Sequence, residues 1–372
     1  MNDDAGHSLL AALWRGEAPP EADAQTLAEA TGWLESHRLA PVVFEALPEA
    51  HPLREALRPA RQQALAAHLQ RQAWLEPIFR DARERGFPLV GFKGWGVALL
   101  SGVYPAPDCR PLGDLDLWVP REHLEAAVSL FQAHDFRLKR DDPAIRDYYF
   151  NASYEVPLVH PRHGLVELHY AYHRDLPDET AARMLARTAP RAAFGTEVDV
   201  FAPPDLLLLL VQHFAIQVGE RPWLWLEDLR RLGAALSEHE AADYVRETET
   251  AGHALFACAS WSALERLWGL RADLWTPAAE NRMRANLSAI ENAALGTWLA
   301  ELPGGRPSGD RLTLARRRSG RPVRAAASRW ASLWCHPGVV CLECNVRSDA
   351  PGFWKHRLSH FAGRCTRLWR AL

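Results

Sequence analysis

Between Gly86 and Pro203 the apolar residues of this 372-residue chain fall in short stretches with the two-residue rhythm of strands, whereas on both sides they recur every three or four residues. That switch constrains the fold more than any other feature. It predicts an α+β chain: a small mixed sheet with helices on one side, an N-terminal helical segment before it and a C-terminal helical domain after it. The boundaries fall at 1–86, 87–202 and 203–300, with a linker and tail over 301–372. Leu9, Leu10, Leu13 and Trp14 mark a first helix, and Leu27, Ala30 and Leu34 continue with helical spacing. A long pattern rich in Ala, Leu, Gln and Arg runs from Leu53 to Arg85, where Gly86 supplies a stop. Beyond Pro203, helical periodicity returns over 206–217, 223–236, 242–248, 253–268 and 278–299.

Within the middle unit, Pro88–Phe92 reads as a buried strand and Trp95–Val103 as a short helix. Asp114–Val119 alternates as a strand, and Pro120 suits the start of a helix that buries Leu124, Ala127, Val128 and Phe131. Tyr154–His160 and Leu165–Tyr170 flank the turn residues Pro161–Gly164 as a hairpin, and Glu197–Phe201 is one more strand.

The chemistry concentrates in Gly91–Val119, which reads GFKGWGVALLSGVYPAPDCRPLGDLDLWV. Asp114 and Asp116 stand two apart on a strand, so both project from one face while Leu115, Leu117 and Val119 fill the other. Paired carboxylates repel each other, and a divalent metal such as Mg²⁺ or Mn²⁺ relieves that repulsion; phosphoryl chemistry uses such a clamp. Glu167, in Leu165-Val-Glu-Leu-His-Tyr170, is the candidate third carboxylate, with His169 on its face. Lys93 and Gly94, at a strand-to-helix junction, and Arg110, four residues before Asp114, are candidate phosphate contacts. His213 and Asp228 lie on helices, and Asp228 is placed to hydrogen-bond either His213 or a backbone group.

These elements, in this order, resemble the uncharacterised nucleotidyltransferase family of the DNA polymerase beta-like superfamily: Lys93-Gly94, Tyr104-Pro105, Arg110-Pro111-Leu-Gly-Asp114-Leu-Asp116 and Val166-Glu167-Leu-His169. Leu206–His213 and Trp223–Leu229 are similar to that family's C-terminal helices, so the resemblance spans about residues 60–300. It implies a nucleotidyltransferase core in which Asp114, Asp116 and Glu167 are catalytic and hold Mg²⁺ or Mn²⁺. Lys93 and Gly94 occupy the phosphate loop, with Trp95 at the position of the superfamily's Ser. The implied reaction moves a nucleoside monophosphate from an NTP, ATP foremost, to a small-molecule, peptide or saccharide hydroxyl, with pyrophosphate leaving. A non-catalytic nucleotide- or protein-binding member of the same fold, and a toxin-like protein or tRNA nucleotidylating enzyme, are the alternatives.

Charge is unevenly distributed. Residues 301–372 carry 14 Lys+Arg against 4 Asp+Glu, whereas residues 1–300 carry 29 against 42. An acidic body disfavours nucleic acid as a partner. Six cysteines make no disulfide framework, Met1-Asn-Asp-Asp4 begins no signal peptide, and apolar runs reach only six residues, short of the ~20 that a membrane span needs. The expectation is a cytoplasmic protein without a transmembrane span. The stretch 303–310 has linker composition, and 311–329 has the composition of a segment without fixed structure. In the tail, Cys341, Cys344, His356 and His360 have spacing close to a zinc site. The rival pattern is a basic amphipathic helix over 353–372. Its Trp354, Leu358, Phe361, Cys365, Leu368 and Leu372 stripe is predicted to be covered by the body, with a partner or membrane surface as the alternative cover.

Overall fold

The structure, a computed structural model, describes residues 4–17, 23–171, 178–193, 195–217, 222–302, 311–313, 315–316, 336–345, 347–350 and 352–371. The linker 303–310, most of 311–329 and Cys335 therefore lie outside the described residues. Four helices open the chain: α1 (Asp4–Trp14), α2 (Ala24–Ser36), α3 (Ala40–Ala46) and α4 (Pro52–Glu84). Helix α4 begins where the His51 side chain accepts from the backbone of Leu53, and it ends before Gly86, whose φ of 75° is a left-handed turn that glycine adopts without strain. Leu53 and Leu57 are buried at one end of α4, and Leu75, Ile78, Phe79 and Ala82 at the other. The two ends enter different apolar cores, so α4 straps them together. Its middle is held by polar contacts instead. Arg61 pairs with Glu45 at 2.6 Å and with Asp108, and Arg71 donates to the Leu112 carbonyl at 3.4 Å.

A seven-stranded mixed sheet follows the order β3-β4-β5-β2-β1-β7-β6. The strands are β1 (Val90–Gly91), β2 (Leu115–Trp118), β3 (Arg137–Leu138), β4 (Glu155–His160), β5 (Gly164–His169), β6 (Ala189–Ala193) and β7 (Thr196–Val200). Between them lie α5 (Lys93–Leu99), α6 (Leu124–Ala133), α7 (Pro143–Asn151) and α8 (Asp178–Ala186). The expected hairpin forms as β4 and β5, turning through Gly164 at φ 82°. Strands β3 and β6 carry no strand signal in the sequence: one is two residues long and the other, Ala-Pro-Arg-Ala-Ala, has no alternating apolar pattern.

Alternation decides the packing of β2. Leu115 and Leu117 enter one core with α6, the C-terminal end of α4, and Val166 and Leu168 of β5. Trp118 faces the other way, into a core shared with the N-terminal and C-terminal helices. Helices thus contribute to cores on both sides of β2, where one side was expected.

The C-terminal helices are α9 (Pro203–Gln217), α10 (Pro222–Ala235), α11 (Glu238–Thr250), α12 (Ala254–Trp268), α13 (Pro277–Ala285) and α14 (Ala289–Glu301). The single helix expected over 278–299 is two. Ser288 caps the second and Glu291 answers it in a reciprocal capping box, which satisfies the backbone donors that the break exposes.

In the tail, α15 (Pro337–Glu343) lies on α7, so close that a Cβ on Gly338 would stand 2.4 Å from the Ala144 carbonyl oxygen. Val340 and Cys341 are buried there. Helix α16 (Phe353–Ala371) forms as expected, but the first part of its stripe is not covered: Trp354 and Leu358 are 61% and 56% exposed, while Phe361 is half-buried. Phe353, one position off the stripe, takes the buried place instead. The side chains of Cys365, Leu368 and Leu372 lie outside the described residues. Among the described residues no helix is long and apolar enough to cross a membrane.

Candidate active site

Strands β2 and β5 are parallel, and their register sets Asp116 beside Glu167 and Trp118 beside His169. Because both strands alternate, Asp116, Glu167 and His169 share the face opposite Leu115, Leu117 and Leu168. Strand β1 runs antiparallel to β2 on the other edge, and the backbone of Phe92 bonds to the Asp116 carbonyl. Lys93, the next residue, is thereby delivered to the same spot. Its Nζ lies 2.7 Å from Asp116 Oδ1 and 3.7 Å from Glu167 Oε2. His169 Nε2 stands 2.9 Å from the same Asp116 oxygen and 3.7 Å from Glu167. Glu155, opposite His169 in the hairpin, approaches the other ring nitrogen at 3.5 Å.

The electrostatics follow from that packing. Burial alone would lower the Lys93 ammonium, but the charges of Asp116, Glu167 and Glu155 outweigh it and hold the pKa raised. Burial would raise Asp116, yet Lys93 and the His169 hydrogen bond keep it below the usual carboxylate range. Glu167 lacks such close donors. Burial first, then the Glu155 charge, push it up to about 8.

These groups open onto a cleft of about 270 Å³. Lys93, Gly94, Arg110, Asp114, Asp116 and Glu167 line it from the sheet side, with Tyr154 and Glu155 beside them. The far wall is His213 and Gln217 of α9 with Leu224 and Trp225 of α10, His213 lying edge-on to Trp225 at 4.6 Å between ring centres. The six residues expected as metal or phosphate contacts therefore meet at one cleft.

Their partners differ from those expected. Asp228 does not pair with His213: it accepts from Arg110 Nε at 3.1 Å and Nη2 at 2.6 Å, and from the Tyr104 hydroxyl at 2.8 Å. Asp228 is fully buried. Burial opposes the Arg110 charge, and Asp228 more than restores it. The guanidinium in turn lies over Gly94, where any Cβ would stand 2.3 Å from it. Trp95 points away, into the core against Phe79.

Asp116, Glu167 and His169 each offer a ligand atom, all within 4.8 Å of one another, and among the described residues no other such group of three forms. Two carboxylates and an imidazole suit Mn²⁺ or Mg²⁺, so the residues fit a divalent metal. Asp114 lines the same cleft outside that trio. Cys341, Cys344, His356 and His360 form no such group: Cys341 is a core residue, and His360 pairs with Glu343. From the sequence His169 reads chiefly as a packed residue; its spacing of two from Glu167 is the signal that it shares the site. Glu155 and Tyr104 escape the sequence reading as contributors, and only the hairpin register could have shown Glu155.

The chain belongs to the family of uncharacterised nucleotidyltransferases, whose profile matches residues 23–269. It is also similar to the solution structure of the antibiotic-resistance factor ANT(2'')-Ia, at 15% identity and a TM-score of 0.37, over 50% of this chain and 96% of that one. No curated protein matches the chain.

Proposed function

We propose that the chain moves a nucleoside monophosphate from an NTP, ATP foremost, to a hydroxyl of a small-molecule, peptide or saccharide acceptor, releasing pyrophosphate. The observation that carries this reading is the pair Asp116 and Glu167, abreast on parallel strands and facing a cleft, in a chain of the nucleotidyltransferase family. In this reading Asp116 and Glu167, with Asp114 and His169 beside them, hold Mg²⁺ or Mn²⁺. The metal, when bound, supplies counter-charge to the phosphates and acidity to the acceptor hydroxyl.

The chain's own residues do the positioning. Arg110, braced by Asp228, which also accepts from the Tyr104 hydroxyl, presents a fixed guanidinium to phosphate oxygens. Gly94 keeps that guanidinium's approach clear. The unit 87–202 carries the chemistry, and 203–300 supplies the far wall, where Trp225 offers an aromatic face. Two features support a positively charged or neutral acceptor over nucleic acid: the acidic body and the carboxylates around the cleft.

The test is Mg²⁺-dependent release of pyrophosphate from each of the four NTPs, with a deproteinised cell extract as acceptor source. Pyrophosphate that appears with extract and vanishes with chelator is expected. Orthophosphate as the product would contradict the reading.

A further inference from the structure

The Lys93 ammonium sits between the two carboxylates that the proposed function assigns to a metal, 2.7 Å from Asp116 and 3.7 Å from Glu167. Two further observations bear on why a lysine stands there. The chain has 43 basic residues, and only Lys93, Lys139 and Lys355 are lysines; the other 40 are arginines. Lys139 and Lys355 are exposed, so the single lysine in a buried ion pair is Lys93. Arginine would grip a carboxylate with a rigid fork, as Arg110 grips Asp228, whereas lysine offers a compact point charge on a flexible four-carbon stem. A lysine can swing away from this position without unlocking a bidentate pair.

The second observation is the backbone. Lys93 has φ 45°, the left-handed region that non-glycine residues enter at a cost of roughly 1–2 kcal/mol. That backbone is set by the junction of β1 and α5, so the stem of Lys93 starts from a fixed point and the ion pairs constrain only its tip.

We propose that Lys93 is a tethered, displaceable stand-in for a divalent cation, closing the Asp116–Glu167 site in the resting protein and leaving it when metal enters. This rests on the metal reading of the site. A dication and an ammonium cannot share a space of about 3–4 Å, because their repulsion there amounts to several kcal/mol even with substantial screening. The ammonium must move out, and the cleft beside Gly94 and Arg110 is the open side, where the phosphates of an incoming nucleotide would receive it. Metal alone then binds weakly, and metal with nucleotide binds well.

The test is titration of the full-length protein with Mn²⁺ alone, following free Mn²⁺ by electron paramagnetic resonance. Lys93→Met is expected to bind Mn²⁺ about tenfold more tightly than the wild type, or better, since the competing charge is gone. Asp116→Asn added to Lys93→Met is expected to lose that binding. Asp116-dependent binding that is equal or weaker in Lys93→Met overturns the stand-in role while leaving the metal reading in place. No Asp116-dependent binding in either protein, even with a non-hydrolysable ATP analogue, overturns both.

Should Lys93→Met fail to fold, the wild type answers the same question by amine acetylation, with Lys139 and Lys355 as internal references. Lys93 is expected to be protected without metal and to label faster as Mn²⁺ rises. Unchanged protection at Mn²⁺ concentrations that fill the Asp116 site overturns the proposal.

Discussion

Asp228 holds Arg110 by two hydrogen bonds across 118 residues of sequence, and with it ties the C-terminal helices to the loop that leads into β2. Both partners are buried, so neither charge has water to fall back on. Removing one partner of such a pair costs about 3–5 kcal/mol, because the other is left uncompensated. Asp228→Ala is therefore expected to lower stability by about that amount in urea denaturation. Asp228→Ala combined with Arg110→Met is expected to cost less than the sum of the single changes. Additive losses would show that the pair is not coupled.

Gly94 is expected to tolerate no side chain. A methyl group there would stand 2.3 Å from a guanidinium that Asp228 holds in place. Gly94→Ala should push Arg110 off both the cleft and Asp228, raising KM for the NTP by about tenfold or more and lowering stability toward the level of Asp228→Ala, because the buried pair is broken. An unchanged KM would remove Arg110 from phosphate binding.

Glu167 gives the metal-free protein a pH dependence with a definite sign. Its carboxyl is raised to about 8 in the folded state, from an ordinary value of 4.5. Below 4.5 both folded and unfolded states are protonated there, and the group costs nothing. As pH rises toward 8, the unfolded state ionises first and folding loses stability. Melting temperature in the presence of chelator should fall over that window, and Glu167→Gln should flatten the fall. Added Mn²⁺ should reverse it.

Among the described residues the tail docks through α15 and Phe353, and not through Trp354 and Leu358 of the α16 stripe. Trp354→Ala and Leu358→Ala are expected to change stability by no more than about 0.5 kcal/mol, as exposed positions do. Phe353→Ala should cost about 3 kcal/mol. Differential scanning calorimetry separates the two cases, and a large loss at Trp354 would mean that the stripe is covered after all.

The α+β frame and the strand face that carries Asp116 and Glu167 were legible in the sequence; the tertiary pairings between them were not. Asp116 and Glu167 could be set on one face because alternation fixes which residues share a strand face, and the hairpin turn at 161–164 fixes where the strands end; Asp114, expected on the same strand, precedes β2 and lies outside the trio. The parallel register that brings Asp116 beside Glu167 is a tertiary fact, reached through a crossover with no local signature. The partner of Asp228 escapes for the same reason: spacing shows that an Asp lies on a helix, not which buried cation lies opposite. The break between α13 and α14 is a different kind of miss. Ser288 and Glu291 carry the capping signature, but the apolar periodicity on both sides runs on through it. Likewise the spacing of Trp354 and Leu358 shows amphipathicity without showing what covers it.

Nucleotidyl transfer at Asp116 is tested most directly by the fate of a labelled phosphate. Wild-type protein and Asp116→Asn are each incubated with Mg²⁺, a deproteinised cell extract and ATP labelled at either the α or the γ phosphate. The α label is expected to move to an acceptor while the γ label emerges as pyrophosphate, and Asp116→Asn should reduce the transfer by about a hundredfold or more, through loss of the metal's counter-charge on the phosphates. Transfer of the γ label to the acceptor, or α transfer undiminished in Asp116→Asn, would contradict nucleotidyl transfer at this site.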